Sequence, residues 1–89
     1  ANLFMVKNKI VYTPKPTGTF LVGITRNRVI KLLEKLGIEV IESKIKPEDL
    51  IEADEIFCSG NYVKLRKIIK YENKSFKNTP IFDLAYKAY

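Results

Sequence analysis

The sequence predicts a mixed α/β (α+β) domain in the order β-β-α-β-α-β-β-α, and three observations carry that prediction. Short apolar runs rich in Ile, Val, Phe and Tyr alternate with turn residues, one longer stretch has helical periodicity, and prolines stand where helices begin. The 89 residues are read as a single domain, 1–89. A chain of this size buries roughly 60–65% of the surface that its unfolded form exposes, which leaves a modest stability margin.

The elements follow in chain order. "NLFMV" and "KIVYT" are strands of a hairpin separated by Lys7-Asn8, with Asn8 near the turn. "PKPTGT", with its prolines and glycine, is a loop over residues 14–19. In the segment that follows, Val29, Ile30, Leu32, Leu33 and Leu36 recur at helical spacing as one apolar stripe. Arg28, Lys31, Glu34 and Lys35 fall largely on the opposite side. Gly37 supplies the stop, since glycine tolerates the left-handed conformation that ends helices.

Ile38, Val40 and Ile41 mark a short strand. "KPEDLIEAD" is a helix of one or two turns, with Pro47 in its first turn and Glu48 and Asp49 near the positive end of its dipole. "EIFCSG" is a strand that ends in the turn Ser59-Gly60-Asn61, and "YVKLRKIIKYEN" is one further strand, turned at Glu72-Asn73. The closing helix has Thr79 as its cap and Pro80 at its first position, with Ile81, Leu84, Ala85 and Ala88 on one face.

Composition narrows the chemistry. A formal charge of +6 and a pI near 9.5 favour phosphate-bearing partners. The lysines are scattered and only three residues are arginine. No dense basic run is interleaved with aromatic residues, which argues against a nucleic-acid partner. A single cysteine and no histidine exclude an internal disulfide, the usual zinc sites and a Ser-His or Cys-His nucleophile pair within this chain. Cys58 reads as a buried small hydrophobe. The acidic residues Glu48, Asp49, Glu52, Asp54 and Glu55 lack the spacing and central glycine of a calcium loop, and read as a solvated face. No apolar run reaches the roughly 18 residues of a membrane span, so no membrane partner is expected and the expected location is cytoplasmic. The strand-like start, without an initiator methionine, suggests a chain cut from something longer.

Two turns could hold an anion. Gly23 precedes a helix whose first residues, Ile24 and Thr25, offer free N–H groups and a hydroxyl, with the helix dipole behind them. The alternative is that Thr25 is simply an N-cap. Ser59, Gly60 and Asn61 form a second small polar turn at a strand end, which could be an anion-binding nest or an ordinary hairpin turn. In a sheet of neighbouring parallel strands both ends could converge on one ligand.

Taken together, "TPKPTGTFLVGITRNRVIKLLEKLGIEVIE" and "EADEIFCSGNY" resemble the C-terminal part of the branched-chain aminotransferases, within the class IV (fold-type IV) pyridoxal-phosphate enzymes. The resemblance extends from Asn2 to the closing "DLAYKAY". It implies the fold of the C-terminal large, cofactor-binding domain and the cofactor pyridoxal 5'-phosphate. The N–H groups of Ile24 and Thr25, after Gly23, would take the cofactor phosphate together with the Thr25 hydroxyl. Ser59, Gly60 and Asn61 would help hold the phosphate and the substrate α-carboxylate.

The family's Schiff-base lysine, and the glutamate that pairs with the pyridine nitrogen, lie upstream of the segment matching "NLFMVKNKIVYTP". No lysine here takes a catalytic role, and the chain alone is expected to be inactive. Leu65-Arg66-Lys67 replaces an apolar, proline-containing run, which would bring two charges near the cofactor. The implied partners are a second copy in a homodimer and a complementing N-terminal half. The alternative from another class is a non-catalytic module that binds or oligomerises through its basic surface.

Overall fold

The computed structural model describes residues 2–14, 24–60 and 65–89, with residues 24 and 25 described by their backbone alone. The loop expected over 14–19 lies outside the described residues except for Pro14. The elements are β1 (Asn2–Lys7), β2 (Ile10–Thr13), α1 (Ile24–Lys35), β3 (Val40–Glu42), α2 (Pro47–Ile51), β4 (Glu55–Ser59), β5 (Leu65–Lys67), β6 (Lys70–Tyr71), β7 (Lys74–Ser75) and α3 (Pro80–Ala88). This is the predicted mixed α/β class, with the last predicted strand broken into β5 and β6 and a further short strand, β7, after it.

A five-stranded sheet has the order β3-β2-β1-β4-β5. β1 pairs antiparallel with both β2 and β4, β2 pairs parallel with β3, and β4 pairs antiparallel with β5. The β1–β2 turn places Asn8 at φ 53° and Lys9 at φ 66°. Two successive left-handed residues are the mark of a tight hairpin whose twist matches its strands. Asn8 tolerates this readily, and Lys9 joins the turn instead of starting the strand.

Each face of the sheet carries its own core. Phe4, Val6, Val11, Phe57 and Leu65 lie under the two long helices, packed against Val29 and Leu33 of α1 and Phe82 and Ala85 of α3. Met5, Ile56, Ala53 and Phe76 form the opposite core, with Leu3, Tyr12 and Leu50 beside them. Cys58 belongs to this second face and is half-buried, and burial pushes its thiol pKa up.

The helix stripe of α1 follows the sequence closely. Val29 and Leu33 are buried, Arg28, Lys31, Glu34 and Lys35 are exposed, and Gly37 ends the helix at φ 82°. Leu36 departs from the stripe and is largely exposed, because the chain is already turning away there. The phase of α3 also differs from expectation. Phe82 and Ala85 face the core, while Leu84 is half exposed and Ala88 exposed. The period is helical as predicted. Tertiary contact with Phe57, whose ring lies 5.6 Å from that of Phe82, rotates the helix by about one position.

The expected long strand at residues 62–71 is interrupted. β5 covers 65–67, Ile68 still donates to the Ile56 carbonyl at 2.9 Å, and the chain then folds into the β6–β7 hairpin around Glu72-Asn73. Phe76 is thereby buried in the second core. Residues 61–64 lie outside the described residues. Arg66 and Lys67 are exposed on β5.

The acidic residues are not one solvated face. The Lys46 N–H donates to Asp49 at 2.8 Å, Lys7 bridges Glu52 at 3.1 Å, and the Asn8 N–H donates to Asp54 at 2.9 Å. Glu55 departs furthest from the expectation, being only 2% exposed. Its position on β4 points it into the helix-covered core, where the two foremost N–H groups of α3 meet it.

Candidate functional site

The sheet directions bring the two suspected anion turns to one end of the molecule. β2, β3 and β4 all run opposite to β1, so their carboxyl ends lie together. The apolar segment directly before Gly23 lies outside the described residues, and β2 and β4 are not neighbours, because antiparallel β1 lies between them. Their ends are therefore about two strand spacings, roughly 10 Å, apart. This is the end at which open α/β sheets bind ligands.

α1 is held to that end by Arg26. The residue is 4% exposed, and its Nη2 donates to the Pro14 carbonyl at 3.1 Å and to Glu42 at 2.6 Å. Pro14 follows β2, and Glu42 closes β3. One guanidinium thus ties the first turn of the helix to two strand ends, a role suited to a planar, permanently charged donor. The sequence carried a signal for it: Arg26 continues the stripe of Val29, Ile30 and Leu33 backwards by one turn, which places it on the buried side.

The helix begins at Ile24. Ile24 and Thr25 therefore lie in the first turn, whose N–H groups have no intrahelical acceptor. Thr25 is inside the helix and does not occupy the cap position, and Gly23 lies outside the described residues. The side chains of Ile24 and Thr25 are likewise outside the description.

At the end of β4, Ser59 sits on the helix-covered face, opposite Asn2 on one side and Leu65 on the other. It is 1% exposed, and its Oγ has no hydrogen-bond partner among the described residues. That is unusual, because a buried hydroxyl without a partner costs roughly 1–3 kcal/mol. The neighbouring hydroxyl is satisfied: Thr13 Oγ1 donates to the Leu3 carbonyl at 2.7 Å. Gly60 follows in a half-buried position, and Asn61 lies outside the described residues.

The other end of β4 is closed. Glu55 Oε2 accepts the Ile81 N–H at 3.1 Å and Oε1 accepts the Phe82 N–H at 2.9 Å. Burial holds the Glu55 pKa above its ordinary value of 4.5, the two backbone donors pull it down, and Asp83 and Asp54 push it up further. Thr79 occupies the N-cap position of α3, as expected, but its hydroxyl donates to the Asp83 carboxylate at 3.2 Å, and Glu55 accepts the first backbone N–H groups from the sheet. Between the two ends of β4, Phe57 stacks on Phe4 at 5.2 Å, and Phe82 stacks on Tyr86 at 5.5 Å.

A mixed sheet that has at one end a helix start and a buried hydroxyl without a partner among the described residues is a frame for an anionic group. The model of the class IV amino-transferases matches residues 1–71. The chain belongs to the class IV aminotransferase family. It is similar to the chloroplastic branched-chain-amino-acid aminotransferase 5 of Arabidopsis thaliana, at 39% identity over 77 residues, 84% of this chain and 19% of that protein.

Solved structures tell the same story about the fold. An aminotransferase from Brucella abortus, bound to the cofactor PLP, matches with a TM-score of 0.92 at 45% identity, covering 99% of this chain and 31% of that one. The branched-chain amino acid aminotransferase of Escherichia coli matches with a TM-score of 0.88 at 35% identity, covering 97% of this chain and 29% of that one. The present chain thus spans between about a fifth and a third of the length of these relatives.

Proposed function

We propose that this chain supplies the phosphate- and carboxylate-holding end of a pyridoxal-phosphate-dependent branched-chain aminotransferase. The observation that carries the reading is the buried Ser59 hydroxyl, without a partner among the described residues, at the sheet end to which Arg26 ties the start of α1. The residues fit the cofactor's phosphate: free first-turn N–H groups of Ile24 and Thr25, after Gly23, act as donors with the helix dipole behind them. Ser59, Gly60 and Asn61 add a hydroxyl and strand-end amides for the phosphate and the substrate α-carboxylate. When bound, pyridoxal phosphate supplies the electron sink for amino-group exchange.

Nothing in this set can act as the Schiff-base nucleophile. The chain by itself is therefore proposed not to transaminate, and to need a complementing part that carries the lysine and the ring-nitrogen partner. A dimer is the accompanying proposal. Ile69 is 66% and Tyr86 62% exposed, on one side of the molecule beside strand β5, and such side chains gain by being covered. The same observation supports the alternative reading, a non-catalytic module that associates through this side.

Spectroscopic titration with pyridoxal phosphate tests the main reading. Saturable binding is expected, weakened in Ser59→Ala and Thr25→Ala and abolished by a bulky residue at Gly60. Binding no tighter than to an unrelated basic protein would rule it out. Sedimentation of the chain alone, and of a Tyr86→Lys variant, tests the dimer.

A further inference from the structure

We propose that Glu55 is a positioning residue for the phosphate-holding end of β4, acting through α3 and Phe57 without touching the ligand. The proposal rests on the reading of that strand end as the phosphate site.

Consider how the first turn of α3 satisfies its backbone. Pro80 has no N–H to place. Ile81 and Phe82 donate to the two oxygens of Glu55, at 3.1 and 2.9 Å. The Asp83 N–H reaches the Thr79 carbonyl at 2.9 Å. The sheet, and not a side chain of the helix itself, therefore fixes where α3 starts. Helices normally carry their own cap. Here the acceptor belongs to a strand, so the cap also sets the position of the helix on the sheet.

That position matters for β4. Glu55, Phe57 and Ser59 alternate along the strand and share one face. Phe57 lies between the two polar residues, fully buried, with Phe4 stacked on one side and Phe82 of α3 tilted against it at 58° on the other. With the Glu55 anchor in place, α3 presses Phe57 against Phe4 and the strand end carrying Ser59 has one setting. Without it, the first turn of α3 has two unsatisfied N–H groups, Phe82 loses its fixed seat, and Phe57 and the strand end beyond it gain freedom. Binding the phosphate would then first require that end to be ordered again.

The test uses Glu55→Ala and the isosteric Glu55→Gln, which keeps one acceptor oxygen. Two quantities are read: the preference for pyridoxal phosphate over pyridoxal, and amide hydrogen exchange along the chain. In Glu55→Ala the preference should fall by roughly two- to thirtyfold, the range in which mutations along a coupled path act. Exchange should quicken at Phe57 to Ser59 as well as at Ile81 to Ala85, and Glu55→Gln should lie between the variant and the wild type.

Quickened exchange confined to α3, with the wild-type preference intact, would overturn the proposal and leave Glu55 a helix cap only. Should the wild type show no preference for the phosphate, the reading of this end as a phosphate site fails. The exchange map then decides the Glu55 coupling alone: spread to Ser59 upholds it, confinement to α3 rejects it. If Glu55→Ala does not fold, Glu55→Gln carries both measurements.

Discussion

The two ends of β4 bury polar side chains on the same face and treat them in opposite ways. Glu55, at the start, has both oxygens occupied by backbone donors of α3. Ser59, at the finish, is equally buried and its hydroxyl has no partner among the described residues. Folding accounts for the first, since a buried carboxylate without donors would be far too costly. It does not account for the second. The contrast teaches where this fold spends its polar groups on its own stability and where it leaves one over.

The contrast can be broken most forcefully at the saturated end. Glu55→Ala leaves the Ile81 and Phe82 N–H groups buried without an acceptor, and should lower unfolding free energy by about 3 kcal/mol, at roughly 1–3 kcal/mol for each orphaned group. Urea denaturation measures this. Next comes the clamp that orders the ligand end. Arg26→Met keeps an apolar stem but removes the donor from Pro14 and Glu42, and should cost about 2 kcal/mol, as for hydrogen bonds to a charged group. It should also weaken pyridoxal phosphate binding, because the start of α1 is no longer tied to the strand ends.

At the open end the sign should change. Ser59→Ala removes a hydroxyl that has no partner among the described residues, so the ligand-free chain should be unchanged or gain up to about 1 kcal/mol in the same assay. Loss of more than that would mean Ser59 has a structural partner, and the comparison between the two ends would fall. The smallest effect is in pH. Burial raises the Glu55 pKa above 4.5, so the folded protein takes up that proton more readily than the unfolded chain. Its contribution to stability is full below the unfolded value and declines as pH rises through the folded one. The stability gap between wild type and Glu55→Gln should therefore shrink as pH rises above 4.5, and a widening gap would show that the backbone donors outweigh burial.

What could be read in the sequence was local chemistry. Asn8 at a left-handed turn, Gly37 after α1, Pro47 and Pro80 at helix starts, and the stripe of Val29 and Leu33 each depend on neighbours in the chain. What was missed depends on partners distant in sequence. Glu55 looked like one more surface acid, until a helix 26 residues later brought its N–H groups to it. The phase of α3 was off by one because Phe57 decides it, and the strand after residue 67 breaks because Phe76 must reach the second core. The candidate site divides in the same way. Ser59 and the start of α1 were legible as turns, but only the sheet order shows that they share an end, with β1 between their strands.

The Arg26 clamp has a consequence for how such a protein can change. Its guanidinium grips the Pro14 carbonyl from 12 positions away, so the segment between them is fastened at both of its roots. The same guanidinium also holds Glu42 at the close of β3, so three elements share one fastening. A change that displaces either strand end must therefore carry the helix start with it, and this end of the molecule can be altered only as a unit.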